Sequence, residues 1–276
     1  MLAEKTLYKN LIFWLMLGVS AFVAYPLLLM IGTSLKSENE LYMDSVGLFN
    51  SFHFENYVRV WEEARLARMF SNSIIVTVAS LAGIVLLVTS ASFAIARLRF
   101  RGSRLTYLLF FSGIFIPFQL SMVPLMIVIR ALGLYNNLFG LILVYVNLAI
   151  PFGIFLVAGY MKTVPMELDE SARMDGCSDW TLYRKIIVPL IKPVTVTLII
   201  LQCIQIWNDF FLPNLLISTT ANKTVTVGIM SFRGTFSTTW NLLMAGVTIT
   251  LLPVMGFYLF TQKYIIGGMT AGAVKG

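Results

Sequence analysis

The chain has 276 residues, 58% of them hydrophobic and only 12% charged, with a formal net charge of +7 and a mean hydropathy of +0.83. A soluble domain carries about 25% charged residues, so this chain has too little polar surface to cover a globule in water. That excludes an ordinary soluble enzyme or binding module and points to one integral membrane domain, residues 1–276, with the bilayer as its solvent. The basic excess then belongs in cytoplasmic loops and calls for no nucleic-acid partner.

A helix needs about 20 apolar residues to cross a ~30 Å hydrocarbon core. In chain order, apolar runs predict spans over about 11–31, 71–96, 105–129, 138–161, 186–208 and 242–262. The run before the fourth span is longer than needed, so it contains a loop around Gly133, Asn136 and Asn137. Only Pro193 to Asn208 of the fifth is free of charge, and that helix is expected to extend backward past Lys192, whose long stem can snorkel. The first run continues ten residues beyond Ala21, too far for a secretory signal, and reads as an uncleaved span. The fold class is therefore all-α, a polytopic membrane protein with six transmembrane helices.

Lys and Arg set the orientation. With the N-terminus in the cytoplasm, the inner segments hold Lys5, Lys9, Arg97, Arg99, Arg101, Arg104, Lys162, Arg173, Arg184, Lys185, Lys192, Lys263 and Lys275. The outer segments hold Lys36, Arg59, Arg65, Arg68, Arg130, Lys223 and Arg233. Thirteen against seven puts both termini inside. The first outer loop, Thr33 to Met69, mixes charge signs and reads as a small folded segment.

The chain lacks several kinds of chemistry. Cys177 and Cys203 are far apart and form neither a metal-site spacing nor a disulfide framework, and His53 stands alone in a polar loop. No ionisable residue sits in the middle of spans one to four or six, which argues against a proton-driven carrier. A GxxxxGK[ST] phosphate loop, an HExxH pair and a GxSxG elbow are all missing. No cofactor or metal site is expected on this chain, and energy for any pumping must come from another chain.

Span five carries Thr195, Gln202, Gln205 and Asp209 at separations of 7, 3 and 4, which places them on one helical face. Such a stripe faces a substrate path, or it joins helices by hydrogen bonds worth about 0.6 kcal/mol each. Gln119 and Asn147 are isolated candidates for the same path. Trp207 is either an interfacial aromatic or a path-lining one.

The most informative segment is the cytoplasmic loop 163–185 and its continuation to Pro193, TVPMELDESARMDGCSDWTLYRKIIVPLIKP. Pro165 suits a first helical turn, and Glu167, Asp169 and Glu170 favour the positive end of a helix dipole. Gly176 is placed to end that helix in a left-handed cap. Ser178 can cap a second helix running from Asp179 to Val188.

This segment resembles the EAA loop of ABC importer permeases. There Glu-Ala-Ala and Asp-Gly-Ala are followed, nine residues after the Gly, by Ile-x-Leu-Pro. Here Glu170, Ser171 and Ala172 stand in the first triplet, Asp175, Gly176 and Cys177 in the second, and Ile186, Val188 and Pro189 complete the pattern. Ser171, Cys177 and Val188 depart from it, each by a small-for-small or apolar-for-apolar exchange. WNDFFLP (Trp207 to Pro213) and the tail GGMTAGAVKG (Gly267 to Gly276) resemble the sugar-importer branch, in which two related permeases pair and this chain looks like the second.

The resemblance implies a type I ABC importer permease fold in a prokaryotic cytoplasmic membrane. It implies as partners a second homologous permease, two ATP-binding subunits that carry ATP and Mg, and an extracytoplasmic substrate-binding protein met by the outer loops. It also implies that Glu167, Glu170, Ser171, Ala172, Met174, Asp175 and Gly176 couple to the ATPase subunits; the tail, which follows a span that ends on the inside, either lies against those subunits or is a frayed terminus. Alternatives from other classes are a secondary transporter or channel, whose uptake would survive ATP depletion, an ABC permease for a non-sugar solute, and a membrane-embedded enzyme.

Overall fold

The computed structural model describes residues 2–44, 47, 52–98, 100–234 and 238–273, with side chains described outside 2–7 and 263–273. Arg99 and the last three residues of the tail, 274–276, lie outside the described residues. The described chain is helical, and the one β-bridge among these residues joins Arg233 and Thr238. The chain divides into two compact units, residues 1–67 with 225–253, and 68–224 with 254–276.

The first unit contains α1 (Leu2–Ser34), α2 (Glu38–Met43), α3 (Glu55–Glu63), α13 (Val225–Ile229) and the start of α14 (Trp240–Ala273). The most apolar stretch of α1 buries none of its residues. Phe13, Trp14, Phe22 and Val23 all stand exposed on it. Apolar side chains open on every side are stable only against lipid or another chain. The polar loop that follows is folded by its own hydrogen bonds. Ser37 and Glu40 form a reciprocal capping box on α2. Asn56, buried, donates to the carbonyls of Ser34 and Lys36 at 3.0 Å each, and Lys36 Nζ donates to the Asp44 carbonyl at 2.6 Å. His53 Nδ1 lies 2.5 Å from Glu55 Oε1, and this bond holds the Glu55 carboxyl below its ordinary range.

The second unit holds most of α4 (Leu66–Arg97) and then α5 (Ser103–Gly113), α6 (Phe118–Ala131), α7 (Leu138–Met161), α8 (Glu167–Met174), α9 (Asp179–Thr181), α10 (Val188–Leu190), α11 (Lys192–Asn208) and α12 (Phe211–Leu216). Its core is built from Val88, Leu141, Val157, Met161, Leu182, Ile187 and Leu198. The backbones of α4 and α7 cross closely. A Cβ built on Gly153 would stand 2.7 Å from Val88 Cγ2. The fourth expected span coincides with α7, and the expected loop before it contains Gly133 and Asn136 in left-handed conformations, with φ of 69° and 59°.

Two expected spans are not straight helices. The third is divided into α5 and α6, bent by 99°. Pro117 stands at the break with extended backbone (φ −60°, ψ 125°), and a proline disfavours helical geometry in the residue before it. The fifth does not continue smoothly past Lys192. The chain before it and α11 meet at 72° around Ile191. Pro193 has no N–H to offer the Pro189 carbonyl, and its ring crowds that carbonyl, so the helix breaks there. The expected second loop helix also differs. After α9 it widens into a π turn, Leu182–Ile187, before α10. Four helices are long and apolar enough to cross a membrane, six if each bent pair counts as one span.

Candidate functional site

The loop between α7 and α11 begins with a short amphipathic helix, α8. Its start lies at Glu167, two residues beyond Pro165. Asp169 and Ala172 point inward and are buried, and Ala172 joins the unit's core. Glu167, Glu170, Ser171 and Met174 are exposed, Met174 to 84%. Glu167, Glu170, Ser171 and Met174 thus share the exposed side, while Ala172 packs against its own subunit and is not offered outward. Ser171 Oγ donates back to the Glu167 carbonyl at 2.8 Å, a bond within its own helix.

Gly176, with φ of 82°, ends α8. Its N–H donates to the Arg173 carbonyl and the Cys177 N–H to the Ala172 carbonyl, both at 3.0 Å. This is the paired closure of a Schellman cap, and its left-handed residue favours glycine. Nothing lies within 4 Å of a Cβ built there, so the requirement is conformational and not steric. Ser178 Oγ then accepts from the Thr181 N–H, and Arg173 and Asp179 form a 2.6 Å ion pair across the turn.

What holds this loop in place has no local signal in the sequence. Arg97, the last residue of α4, is buried, with 1% of its side chain accessible. Its Nη2 donates to the carbonyls of Met161 at 2.7 Å and Val164 at 2.9 Å. Its Nη1 donates to Met166 Sδ at 2.7 Å and lies 3.5 Å from Asp169 Oδ2. In the sequence Arg97 reads as one more positive charge on the inner side, and nothing in its immediate neighbours marks it as buried.

A cavity of about 880 Å³ opens among α5, α6, α7, α11 and α12. Four of the six path candidates line it: Asn147, Gln202, Gln205 and Asp209. Ser121, Tyr145 and Asn208 join them, among aromatic rings from Phe110, Phe118 and Phe152. Gln202 is largely buried, while Asn147 and Gln205 are exposed. Tyr145 donates to Asp209 Oδ2 at 2.9 Å, and Asp209 Oδ1 accepts from the Phe211 N–H at 2.8 Å. Asp209 is therefore at once part of the wall and a link between helices.

The other two candidates fall elsewhere. Thr195 lines a separate, largely apolar hollow of about 750 Å³ beside α4, and its hydroxyl bonds back to the Ile191 carbonyl at 2.9 Å. Thr195 lies on α11 like Gln202, but seven residues, about 10 Å, nearer its start. Gln119 stands exposed on α6, outside the cavity. Trp207 fits neither of its expected roles. It is buried, its ring 6.0 Å from that of Phe70.

The segment after α12 is pinned to the same unit. Asn136 Oδ1 accepts from the N–H groups of Ser218 and Thr219 and from the Thr219 hydroxyl, at 3.0–3.1 Å. Asn72 Nδ2 donates to the carbonyls of Ala221 and Lys223.

Residues 87–270 match the family described as binding-protein-dependent transport system inner membrane component. A probable ABC transporter permease, YurM of Bacillus subtilis, is 35% identical over 92% of this chain and 84% of its own. The probable starch degradation products permease AmyC of Thermoanaerobacterium thermosulfurigenes is 35% identical over 97% of each chain. The melibiose/raffinose/stachyose import permease MelC of Bacillus subtilis is 31% identical over 100% of each. A chain from the crystal structure of a bacterial ABC transporter that imports alginate shares the fold, with a TM-score of 0.83 at 22% identity over 93% of this chain and 96% of that one. With two thirds of its length matching the family and relatives this similar along most of their length, the chain belongs to the inner-membrane permease family of binding-protein-dependent ABC transport systems.

Proposed function

We propose that this permease carries a sugar or oligosaccharide inward across a prokaryotic cytoplasmic membrane, by alternating access driven by ATP hydrolysis on separate subunits. One observation carries the reading. A single unit presents both an outward-facing helix, α8, with charged and soft apolar side chains, and a cavity lined by amides, a carboxylate, hydroxyls and aromatic rings. Amide and carboxylate groups exchange hydrogen bonds with sugar hydroxyls, and aromatic faces cover the apolar faces of sugar rings. The names of the relatives, which include permeases for starch degradation products and for melibiose, raffinose and stachyose, support the same substrate class.

In this reading α8 docks in a cleft on an ATPase subunit through Glu167, Glu170, Ser171 and Met174, while Ala172, Asp175 and Gly176 shape it from behind. ATP and Mg bind the two ATPase subunits and not this chain. A second, homologous permease completes the path, and an extracytoplasmic binding protein delivers the sugar to the outer loops. Both termini face the cytoplasm, with the tail near the ATPase pair. Closure of the two ATPase subunits drives the docking helices together and opens the path outward, and hydrolysis resets it.

The test is purification of the tagged chain from native membranes beside Glu170→Lys and Gly176→Asp variants. A second permease and an ATPase recovered with the wild-type chain, and an ATPase lost from both variants, is the expected result. Proteoliposomes of the recovered complex should take up maltodextrins only with ATP and binding protein present. Recovery of the chain alone, or uptake that collapses with the ion gradient, overturns the importer reading. ATP-driven uptake of peptides in place of sugars overturns the substrate class.

A further inference from the structure

We propose that Arg97 and Asp169 are positioning residues, a buried clasp that fastens the docking helix to the end of α4 so that α4 and α7 move with it. The proposal rests on the importer reading. It concerns how force leaves α8, not whether α8 docks.

The difficulty it addresses is mechanical. An isolated helix of eight residues has little stability of its own. Along the chain it is joined only to α7, through residues 162–166, and to α9, through 175–178. A push on the exposed face of such an element would swing it about those connections. Moving membrane helices requires a rigid second attachment, and Arg97 supplies one. From the last residue of α4, one guanidinium reaches the end of α7 at the Met161 carbonyl, the connection at the Val164 carbonyl and α8 at Asp169. A planar fork of donors holds three partners in one geometry, which a lysine cannot do.

Stability alone does not account for the pair. Both side chains are almost wholly buried, at 1% and 4% accessible, and burying opposite charges costs about as much as their attraction returns. The bonding is also incomplete. Neither Asp169 oxygen accepts a hydrogen bond among the described residues, and Arg97 Nε donates none. An apolar pair of similar volume would fill this space at least as stably. What an apolar pair cannot supply is directional attachment of α8 and the α7 end to one point on α4.

The experiment uses the whole transporter, with its partner permease, ATPase and binding protein, in proteoliposomes. Asp169→Asn, Arg97→Lys and the double variant Arg97→Met/Asp169→Leu are compared with wild type. Three quantities are read: ATPase recovered on purification, melting temperature, and sugar transported per ATP hydrolysed. The double variant should recover wild-type ATPase and melt at or above the wild-type temperature, yet transport about tenfold less per ATP, the scale of a lost coupling contact. Asp169→Asn, which leaves the carbonyl bonds of Arg97 intact, should fall between. A double variant with the wild-type transport ratio overturns the clasp and leaves the importer reading standing. A double variant that no longer assembles also overturns it, because the pair would then serve stability. If the wild-type chain recovers no ATPase at all, the importer reading and the clasp fall together.

Discussion

Tyr145 on α7 and Asp209 at the end of α11 meet at 2.9 Å, the phenol donating to Oδ2 in the wall of the cavity. Oδ1 of the same carboxylate accepts from the Phe211 N–H, and more distantly from the Leu212 N–H at 3.4 Å. The two oxygens thus serve different helices, and removal of either partner has a distinct result. Tyr145→Phe should cost about 0.6 kcal/mol, the usual worth of one interhelical bond in a membrane protein. Asp209→Ala should cost more, about 1–3 kcal/mol, because it also leaves the start of α12 without an acceptor. Melting curves of the purified complex check the order, and the double variant should be no worse than Asp209→Ala alone. Equal losses for the two single variants would contradict the shared-carboxylate arrangement.

The crossing of α4 and α7 leaves no room at Gly153. An added methyl would stand 2.7 Å from Val88 Cγ2 and 3.0 Å from Cγ1. Gly153→Ala should therefore destabilise the protein by about 1–3 kcal/mol, the usual cost of overpacking. Val88→Ala in the same chain should recover most of that loss, and detergent melting of the three variants measures it. If Gly153→Ala melts like wild type, the helices are not in such close contact.

Asn136 combines a left-handed backbone with a side chain that gathers the segment after α12. Asn136→Gly keeps the backbone geometry and removes the gathering oxygen. It should leave the melting temperature within a few degrees while exposing residues 217–223 to protease and lowering stimulation by the binding protein. Asn136→Ala should be worse, since it adds left-handed strain of about 1–2 kcal/mol. Mass mapping of the first cleavage site on intact vesicles distinguishes these outcomes from no change.

Much of this was legible in the sequence because local rules governed it. The fourth span, the Gly176 cap and the turn at Gly133 and Asn136 each follow from apolar run length or from backbone sterics at a few neighbouring residues. The exposed face of α8 follows a rule of the same kind, since the 3.6-residue period puts Glu167, Glu170, Ser171 and Met174 on one side. The period alone did not tell which face turns inward, and Ala172 went to the core. The bends had a readable signal in Pro117 and Pro193, but run length, which ignores where a proline falls, outweighed it. Thr195 shares α11 with Gln202 and Gln205, and the seven residues between Thr195 and Gln202, about 10 Å of helix, carry it out of the cavity, a distance that a shared face does not reveal. Arg97 was beyond local reasoning. Its partners lie 64 to 72 positions away, and a count of charges by membrane side cannot distinguish a solvated arginine from a buried one.

The bend between α5 and α6 has a consequence for how the chain is made. With 11 and 14 residues, the two helices rise about 16 and 21 Å, each well short of a ~30 Å hydrocarbon layer. Neither can leave the insertion machinery as a stable lodger in lipid by itself. The first must wait, still attended, until the second has been synthesised, and the angle at Pro117 is then set inside the bilayer, after delivery. α5 also needs α7, where Pro151 rests on Gly113, so this part of the protein matures only when the ribosome has moved some fifty codons further. A stall or a truncation in that interval leaves half a span with nowhere to rest, and that is the point in biogenesis at which membrane quality control should find this chain most vulnerable.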